Sequence, residues 1–145
     1  MFSMMQSIPY AGAEVSGNSM HPEIRGNVYF YEAYGGTFVV ASVKNLPEGN
    51  QFHGFHIHAG NSCTLMMEGG HYNPTNKPHP EHVGDMPLLL ANQGMAFLAF
   101  YTERFYPEEV IGKVVVIHEM PDDFTSQPSG NPGSIIACGV IQEQE

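Results

Sequence analysis

Residues 24–43 read IRGNVYFYEAYGGTFVVASV and predict a pair of antiparallel strands. Two runs rich in Val, Tyr, Phe and Thr, over residues 24–32 and 37–43, flank the segment Tyr34-Gly35-Gly36. β-branched and aromatic residues favour strands, and a glycine-containing segment between two such runs favours a hairpin turn. This stretch therefore predicts an all-β fold.

The rest of the chain continues the same pattern. Strand-like segments occupy residues 52–58, 95–101, 113–118 and 135–141, and weaker candidates at 13–17 and 87–90 bring the number to eight. No segment has the period of a long amphipathic helix, although one helical turn fits near Val110. The stretches 59–85 and 119–134 are long and irregular, which is typical of functional or disordered loops. We therefore expect one domain over residues 1–145, a β-sandwich or barrel with two long loops.

The composition excludes several classes of function. Five Lys and Arg stand against 15 Asp and Glu, a formal net charge of −10, so the chain cannot build the basic face of a nucleic-acid or anionic-membrane binder. No apolar run approaches the roughly 18 residues of a membrane span. The amino terminus, MFSMMQSIPY, has no signal-peptide pattern. As written the chain is expected in the cytoplasm, or to be exported if a leader has been removed.

The chain contains eight histidines, and two of them belong to the alternating segment Gly54-Phe55-His56-Ile57-His58. Residues two apart in a strand face the same way, so His56 and His58 share a face while Phe55 and Ile57 point into the core. Two adjacent imidazoles on a strand form half of a metal site. A lone His-x-His pair would more often be an exposed polar face.

The first long loop adds further metal-binding side chains. It contains His71, His79, His82 and Asp85, and three imidazoles with one carboxylate form a standard structural zinc site. A solvated histidine-rich turn is the alternative for each residue alone, but the four together favour a metal. His118 ends the apolar run 114–117 and can offer one more nitrogen from the edge of a sheet.

Several motifs in order resemble those of the copper,zinc superoxide dismutase family. They are GFHIH (54–58), GGHYNP (69–74), HVGD (82–85), GKVVVIHEMPDD (112–123), GNPGS (130–134) and ACGVI (137–141). The resemblance implies an eight-stranded Greek-key β-barrel or sandwich of immunoglobulin-like type. It also implies an enzyme that converts superoxide to oxygen and hydrogen peroxide by alternate reduction and reoxidation of copper.

The resemblance also assigns roles to individual residues. Copper would be held by His56, His58, His71 and His118, and zinc by His71, His79, His82 and Asp85, so that His71 bridges both metals. Asp122 would link a copper histidine, His56, to a zinc histidine, His79. Cys63 and Cys138 would form the family's intrachain disulfide. Members occur as monomers and as dimers, so a homodimer is one expectation.

One position departs from the family pattern. The resemblance is to bacterial-type members, but the family usually carries a cationic residue, most often arginine, over the copper, where it attracts and orients superoxide. The matching residue is Ile135, and no basic residue occurs in residues 119–145. Lys77 is the one nearby cation that can substitute, although a solvated loop lysine explains it more simply. We therefore expect real but slower dismutation, because charge steering raises association rates by about 10- to 1,000-fold.

Two other hypotheses remain open at this stage. The chain can be a non-enzymatic copper- and zinc-binding protein of the same fold, which the missing cation favours. It can also be a zinc-stabilised scaffold that never binds copper. The complete set of ligands favours the enzyme.

Overall fold

The computed structural model describes residues 8–49, 51–64 and 70–144. Within these residues the chain forms nine β-strands and one short helix. The strands are β1 (Ala11–Gly17), β2 (Arg25–Ala33), β3 (Gly36–Lys44), β4 (Phe52–His53), β5 (Phe55–His58), β6 (Leu89–Asn92), β7 (Met95–Thr102), β8 (Val114–His118) and β9 (Ile135–Glu143). The helix, α1, is Pro107–Val110. No helix in the described ranges is long and apolar enough to cross a bilayer.

The strands follow one another around a nearly closed antiparallel barrel. Their spatial order is β4-β6-β7-β3-β2-β1-β9-β8-β5, and every pair of neighbours is antiparallel. The two edge strands of this order, β4 and β5, are consecutive in sequence and separated by Gly54 alone. The all-β barrel prediction is confirmed.

The predicted hairpin joins β2 to β3. Ala33 pairs with Gly36, so Tyr34 and Gly35 form a two-residue turn, and Gly35 has a φ of +78°. Positive φ is the conformation that such tight turns require and that glycine adopts at little cost.

One predicted strand is divided. Residues 52–58 form two strands because the chain changes partners at Gly54: β4 pairs with β6, whereas β5 pairs with β8. The amide of Gly54 donates to Met120 O in the second loop at 2.9 Å. The carbonyl O of Gly54 accepts from the amide of His118 in β8, also at 2.9 Å. This change of partner closes the barrel and places β5 beside both long loops.

The apolar face of each strand fills the barrel. The core contains Phe55 and Ile57, which the alternation predicts to face inward, together with Val28, Phe30, Val39, Leu89, Val115, Ile117 and Ile141. The hydrophobic effect of this continuous interior fixes strand register, because a one-residue slip would turn every side chain to the other face.

Candidate metal centre

Strand β5 supplies two histidines on the side opposite the core. Phe55 and Ile57 are fully buried inside the barrel, so His56 and His58 project to the other face, where the long loops cover them. Antiparallel pairing with β8 brings the fully buried His56 ring to 5.0 Å from the ring of His118, measured between centroids.

The first loop is attached to the free edge of β5 by backbone hydrogen bonds. The amide of Ile57 donates to Gly84 O and the amide of Tyr72 donates to Ile57 O, each at 2.8 Å. Isolated bridges pair His58 with His71 and His56 with Asp85. The loop therefore continues the sheet, and this pairing sets the depth at which its histidines approach the strand.

The first group of potential metal ligands consists of His56, His58, His71 and His118, with one ligand atom from each lying within 4.8 Å of the others. The buried atoms His56 Nδ1, His71 Nε2 and His118 Nε2 have no hydrogen-bond partner within the described residues. Buried ring nitrogens without partners are costly, and several that converge form a site suited to a metal ion.

The opposite nitrogen of each of these rings is occupied. His56 Nε2 lies 2.7 Å from Asp122 Oδ2, and His118 Nδ1 donates to Gly133 O at 3.1 Å. Because an ionised carboxylate and a carbonyl only accept hydrogen bonds, these contacts place the ring protons on His56 Nε2 and His118 Nδ1. The opposite nitrogens are left as lone-pair donors for a metal.

The second group consists of His71, His79, His82 and Asp85. The Nδ1 atoms of His71 and His79 lie 2.7 and 3.0 Å from the carboxylate of Asp85, and the Nδ1 atoms of His71 and His82 lie 3.2 Å apart. Three imidazole nitrogens and one carboxylate oxygen form a donor set that zinc prefers. His71 belongs to both groups, with Nδ1 in this group and Nε2 directed to the first.

Asp122 connects the two groups. Its Oδ2 accepts from His56 Nε2 at 2.7 Å and its Oδ1 accepts from His79 Nε2 at 2.8 Å. The amide of Phe124 also donates to Oδ1 at 2.7 Å. One buried carboxylate therefore orients a histidine of each group, which fixes their tautomers and ring planes.

The surroundings favour neutral rings and ionised carboxylates. Burial, with repulsion from His56 next, lowers the pKa of His118 to about 4. Burial also lowers the pKa of His56. Burial opposes ionisation of Asp122, but hydrogen bonds from His56 and His79 outweigh it and hold the pKa of that carboxyl well below its usual range. At neutral pH the rings of His56 and His118 are therefore neutral, the state in which an imidazole binds a metal, and Asp122 is ionised and can accept their hydrogen bonds.

A disulfide joins the first loop to the last strand. Cys63 and Cys138 are bonded, with a sequence separation of 75, which confirms the predicted pairing. Cys138 is buried on β9, three residues after Ile135.

Ile135 lies directly beside one of the candidate ligands. It pairs with His118 across a bulge between β8 and β9 and is partly buried against a small apolar cluster with Val114 and Val116. The branched alkyl side chain of Ile135 offers neither a charge nor a hydrogen-bond donor to an anion.

Two residues near the site were missed in the sequence. His53 is fully buried, and its Nδ1 donates to the backbone O of His118 at 2.9 Å. Arg104 donates from Nη1 to the carbonyl O atoms of Pro80 and His82, at 2.8 and 2.9 Å. Both contacts connect parts of the chain that are far apart in sequence, and no local sequence motif predicts them.

Lys77, the predicted substitute cation, is an exposed residue of the first loop. It participates in a local turn through its backbone, with its amide bound to Asn73 Oδ1 and its carbonyl to Asn73 Nδ2, both at 2.9 Å.

Comparison with known proteins agrees with this geometry. The sequence model of the family described as copper/zinc superoxide dismutase (SODC) matches residues 24–141, which include both groups of ligands and the disulfide. The chain therefore belongs to the copper/zinc superoxide dismutase family.

Two curated relatives are similar over most of their length. Superoxide dismutase (Cu-Zn) 2 of Aquifex aeolicus (strain VF5) is 33% identical over 138 residues, which cover 83% of this chain and 80% of the relative. Superoxide dismutase (Cu-Zn) A of Xenopus laevis is 34% identical over 137 residues, which cover 82% of this chain and 89% of the relative.

Proposed function

We propose that this chain is a superoxide dismutase with a histidine-bridged pair of metal ions. Copper is held by His56, His58, His71 and His118, and zinc by His71, His79, His82 and Asp85. The observation that carries the proposal is the convergence of the buried atoms His56 Nδ1, His71 Nε2 and His118 Nε2, none of which has a hydrogen-bond partner among the described residues. Family membership supports the choice of metals and of reaction.

The chemistry of the two groups of donors fits the two metals differently. Nitrogen donors alone suit copper, whereas three imidazoles and a carboxylate without an open position suit a structural zinc ion. When bound, copper would supply the one-electron steps by which one superoxide loses its electron to become oxygen and another gains it and, with two protons, becomes hydrogen peroxide.

His71 is the residue that couples these steps to protons. Its Nδ1 lies 2.7 Å from Asp85 Oδ1, so this edge of the ring is held by the second group of ligands. Its Nε2 is buried without a hydrogen-bond partner in the described part of the chain and faces the first group. Whenever Nε2 is not engaged by a metal, it can hold a proton without reorientation of the ring.

The approach of superoxide is expected to be weakly steered. Ile135 is the register partner of His118, so the side chain beside this ligand is apolar. The whole chain carries a formal net charge of −10, which repels an anion at long range. We therefore propose dismutation with a reduced rate of encounter.

A non-enzymatic copper- and zinc-binding protein is the second candidate, and the same observation at Ile135 favours it. Such a protein would bind both metals with the same residues but would not need to attract an anion. A zinc-stabilised scaffold would bind zinc alone.

The decisive experiment measures metal content and superoxide decay in the same samples. Purified protein is loaded with zinc and then titrated with copper, and the decay of superoxide is followed by pulse radiolysis per bound copper. We expect one copper and one zinc per chain, with decay proportional to copper. Full copper loading without faster decay would favour the non-enzymatic protein, and failure to bind copper would favour the scaffold. Asp85→Asn should lose zinc first, whereas His56→Ala should lose copper first.

A further inference from the structure

A side chain of the second loop (residues 119–134) binds the backbone of His79. Gln127 Nε2 donates to the carbonyl O of His79 at 2.7 Å, and Gln127 Oε1 accepts from the amide of His79 at 2.9 Å. Because a backbone amide only donates and a carbonyl only accepts, these two partners fix the orientation of the Gln127 amide group. One side chain therefore serves His79 as a paired strand residue would, by satisfying both of its backbone polar groups.

His79 needs such a partner because it lies in a loop and is only 3% exposed. A buried backbone N–H or C=O without a partner is costly, and no strand of the sheet is paired with this segment. The carbonyls of Pro80 and His82 are bound by Arg104, as described above. Gln127 and Arg104 thus hold neighbouring parts of the same loop through different residues.

The second loop also holds the ring of His79. Asp122 Oδ1 accepts from His79 Nε2 at 2.8 Å, which leaves Nδ1, 3.0 Å from Asp85 Oδ2, as the nitrogen for a metal. A ring fixed only at Nε2 could still pivot about that contact if its backbone moved. The two bonds from Gln127 fix the backbone as well, so both the position and the direction of Nδ1 are determined.

The chain between Asp122 and Gln127 is folded into a turn by Asp123. Its carboxylate accepts hydrogen bonds from the hydroxyl of Ser126 and from the amides of Ser126 and Thr125, the last two at 2.8 Å. These bonds lower the pKa of Asp123 to about 2, so the carboxylate that organises the turn is ionised at neutral pH. The turn ends directly before Gln127, whose Nε2 also donates to Thr125 O at 3.3 Å.

We propose that Gln127 is a positioning residue that holds His79 in the geometry in which it binds zinc and thereby slows release of the ion. The inference rests on the zinc site of the proposed function, in which His79 is one of four ligands. Gln127 contacts the backbone of His79 while Nδ1 faces Asp85, so it acts through the ligand and not on the metal. A ligand that stays in place after its bond to the ion breaks can bind the ion again before the other ligands let go.

The first test measures zinc release from the full-length, disulfide-bonded protein, loaded with zinc alone, to an excess of a chromophoric chelator at neutral pH. Gln127→Met keeps the length of the side chain but removes its amide, and should speed release about fivefold, since two hydrogen bonds of a solvent-exposed side chain are lost. Gln142→Met is the matched control, because Gln142 is exposed on β9 and belongs to neither long loop, so release should be unchanged.

The melting temperatures of the metal-free proteins separate positioning from a general structural role. Equal values for the wild type and Gln127→Met, together with faster zinc release, would support the proposal. A metal-free variant that melts clearly lower than the wild type would overturn it, because Gln127 would then stabilise the fold and not the ligand.

The second test examines whether Asp123 acts through Gln127. Asp123→Ala should speed zinc release in the wild type, because the turn before Gln127 is lost, but should have little further effect in Gln127→Met. Loss of negative charge near the ion would instead speed release equally in both backgrounds. Additive effects would therefore overturn the role of the turn.

Two further outcomes distinguish this inference from the proposed function. If the wild type retains zinc and Gln127→Met releases it at the same rate, the role of Gln127 is wrong and the metal site stands. If the wild type does not retain zinc, the proposed metal site is wrong and the inference falls with it.

Discussion

Gly130 lies against Asp122 so closely that a β-carbon at position 130 would overlap the Oδ1 atom of Asp122 and lie 2.7 Å from His79 Nε2. The missing side chain of Gly130 is therefore what allows Asp122 to accept hydrogen bonds from His56 and His79. The backbone of Gly130 also holds this loop, because its carbonyl accepts from the amide of Asp123 at 2.9 Å. A single loop glycine thus determines the orientation of a histidine in each group of ligands.

We predict that Gly130→Ala weakens metal binding far more than a comparable glycine substitution does. Gly130 and Gly112 have similar positive φ values, +83° and +90°, so alanine costs each about 1–2 kcal/mol of backbone strain. Only at Gly130 does the new methyl group displace Asp122, since at Gly112 no atom of the described residues, apart from its two chain neighbours, lies within 4 Å of the corresponding point. Loss of such a carboxylate contact typically costs about 10- to 100-fold in metal affinity. Zinc competition against a chromophoric chelator measures it; equal losses in both variants would contradict the prediction.

Arg104 is expected to hold the first loop in the conformation that binds zinc. Its guanidinium donates hydrogen bonds to the carbonyl O atoms of Pro80 and His82. Pro80 directly follows His79, and both His79 and His82 are proposed zinc ligands. Arg104→Gln should speed zinc dissociation by about tenfold, because charged hydrogen bonds of this kind contribute about 1.5–3 kcal/mol and this side chain is partly screened by solvent. Lys77→Gln removes a cation from the same loop without removing these bonds and serves as the control. A similar loss of zinc in both variants would attribute the effect to charge rather than to the bonds.

Much of this architecture follows from local patterns. The alternation of Phe55, His56, Ile57 and His58 is sufficient to predict a strand with its histidines on one face, because side-chain direction has a period of two. The hairpin at Gly35 is equally local, because a glycine-containing segment between two strand-like runs is enough to predict the turn.

The features that were not predicted all depend on contacts between distant residues. The division of residues 52–58 at Gly54 follows from pairing with β6 on one side and β8 on the other, which alternation cannot specify. The contacts of His53 with His118, and of Arg104 with His82, span 65 and 22 residues. The spatial order of the strands is likewise non-local, because β7 lies beside β3 although residues 45–94 separate them.

The metal-free protein is expected to lose stability as the pH falls towards 4. Burial and His56 lower the pKa of His118 to about 4 from an ordinary 6.5. As the pH falls, the unfolded chain therefore takes up a proton on this ring before the folded chain does. The stability that the neutral ring contributes is fully present above pH 6.5 and is lost as the pH falls through the pKa of about 4 in the folded protein. The shift corresponds to about 3 kcal/mol of unfolding free energy. Urea unfolding at about pH 7 and about pH 4 measures it. His118→Gln should show a smaller decrease; an identical decrease in both proteins would refute the assignment to His118.

The disulfide is expected to stabilise the metal-free protein independently of the ligands. Closing a loop with a sequence separation of 75 restricts the unfolded chain and is worth about 4 to 5 kcal/mol in the chain-entropy model. A variant with Cys63→Ser and Cys138→Ser should therefore unfold at a clearly lower urea concentration. The wild type treated with a reductant is the matched control and should unfold at nearly the same concentration as the variant. A loss below about 1 kcal/mol would show that the unfolded chain retains structure near these residues.

Ile135→Arg is predicted to raise the rate constant for superoxide decay, and to raise it most at low salt. Ile135 pairs with His118, so a guanidinium at this position would lie near the approach to the proposed copper ligands and attract an anion. Screening shortens the range of this attraction to about 10 Å at 0.1 M salt, so the advantage should decrease as ionic strength rises. The wild-type rate should change little with salt, or increase, because a chain of charge −10 repels superoxide overall.

Pulse radiolysis of both proteins per bound copper, across a salt series, measures this, and Ile135→Gln controls for the loss of an apolar side chain without adding charge. Unchanged copper spectra confirm that the site is intact. A wild-type rate at the diffusion limit that falls steeply with salt would show that another cation steers the substrate, and Lys77→Gln would then identify or exclude the exposed lysine of the first loop.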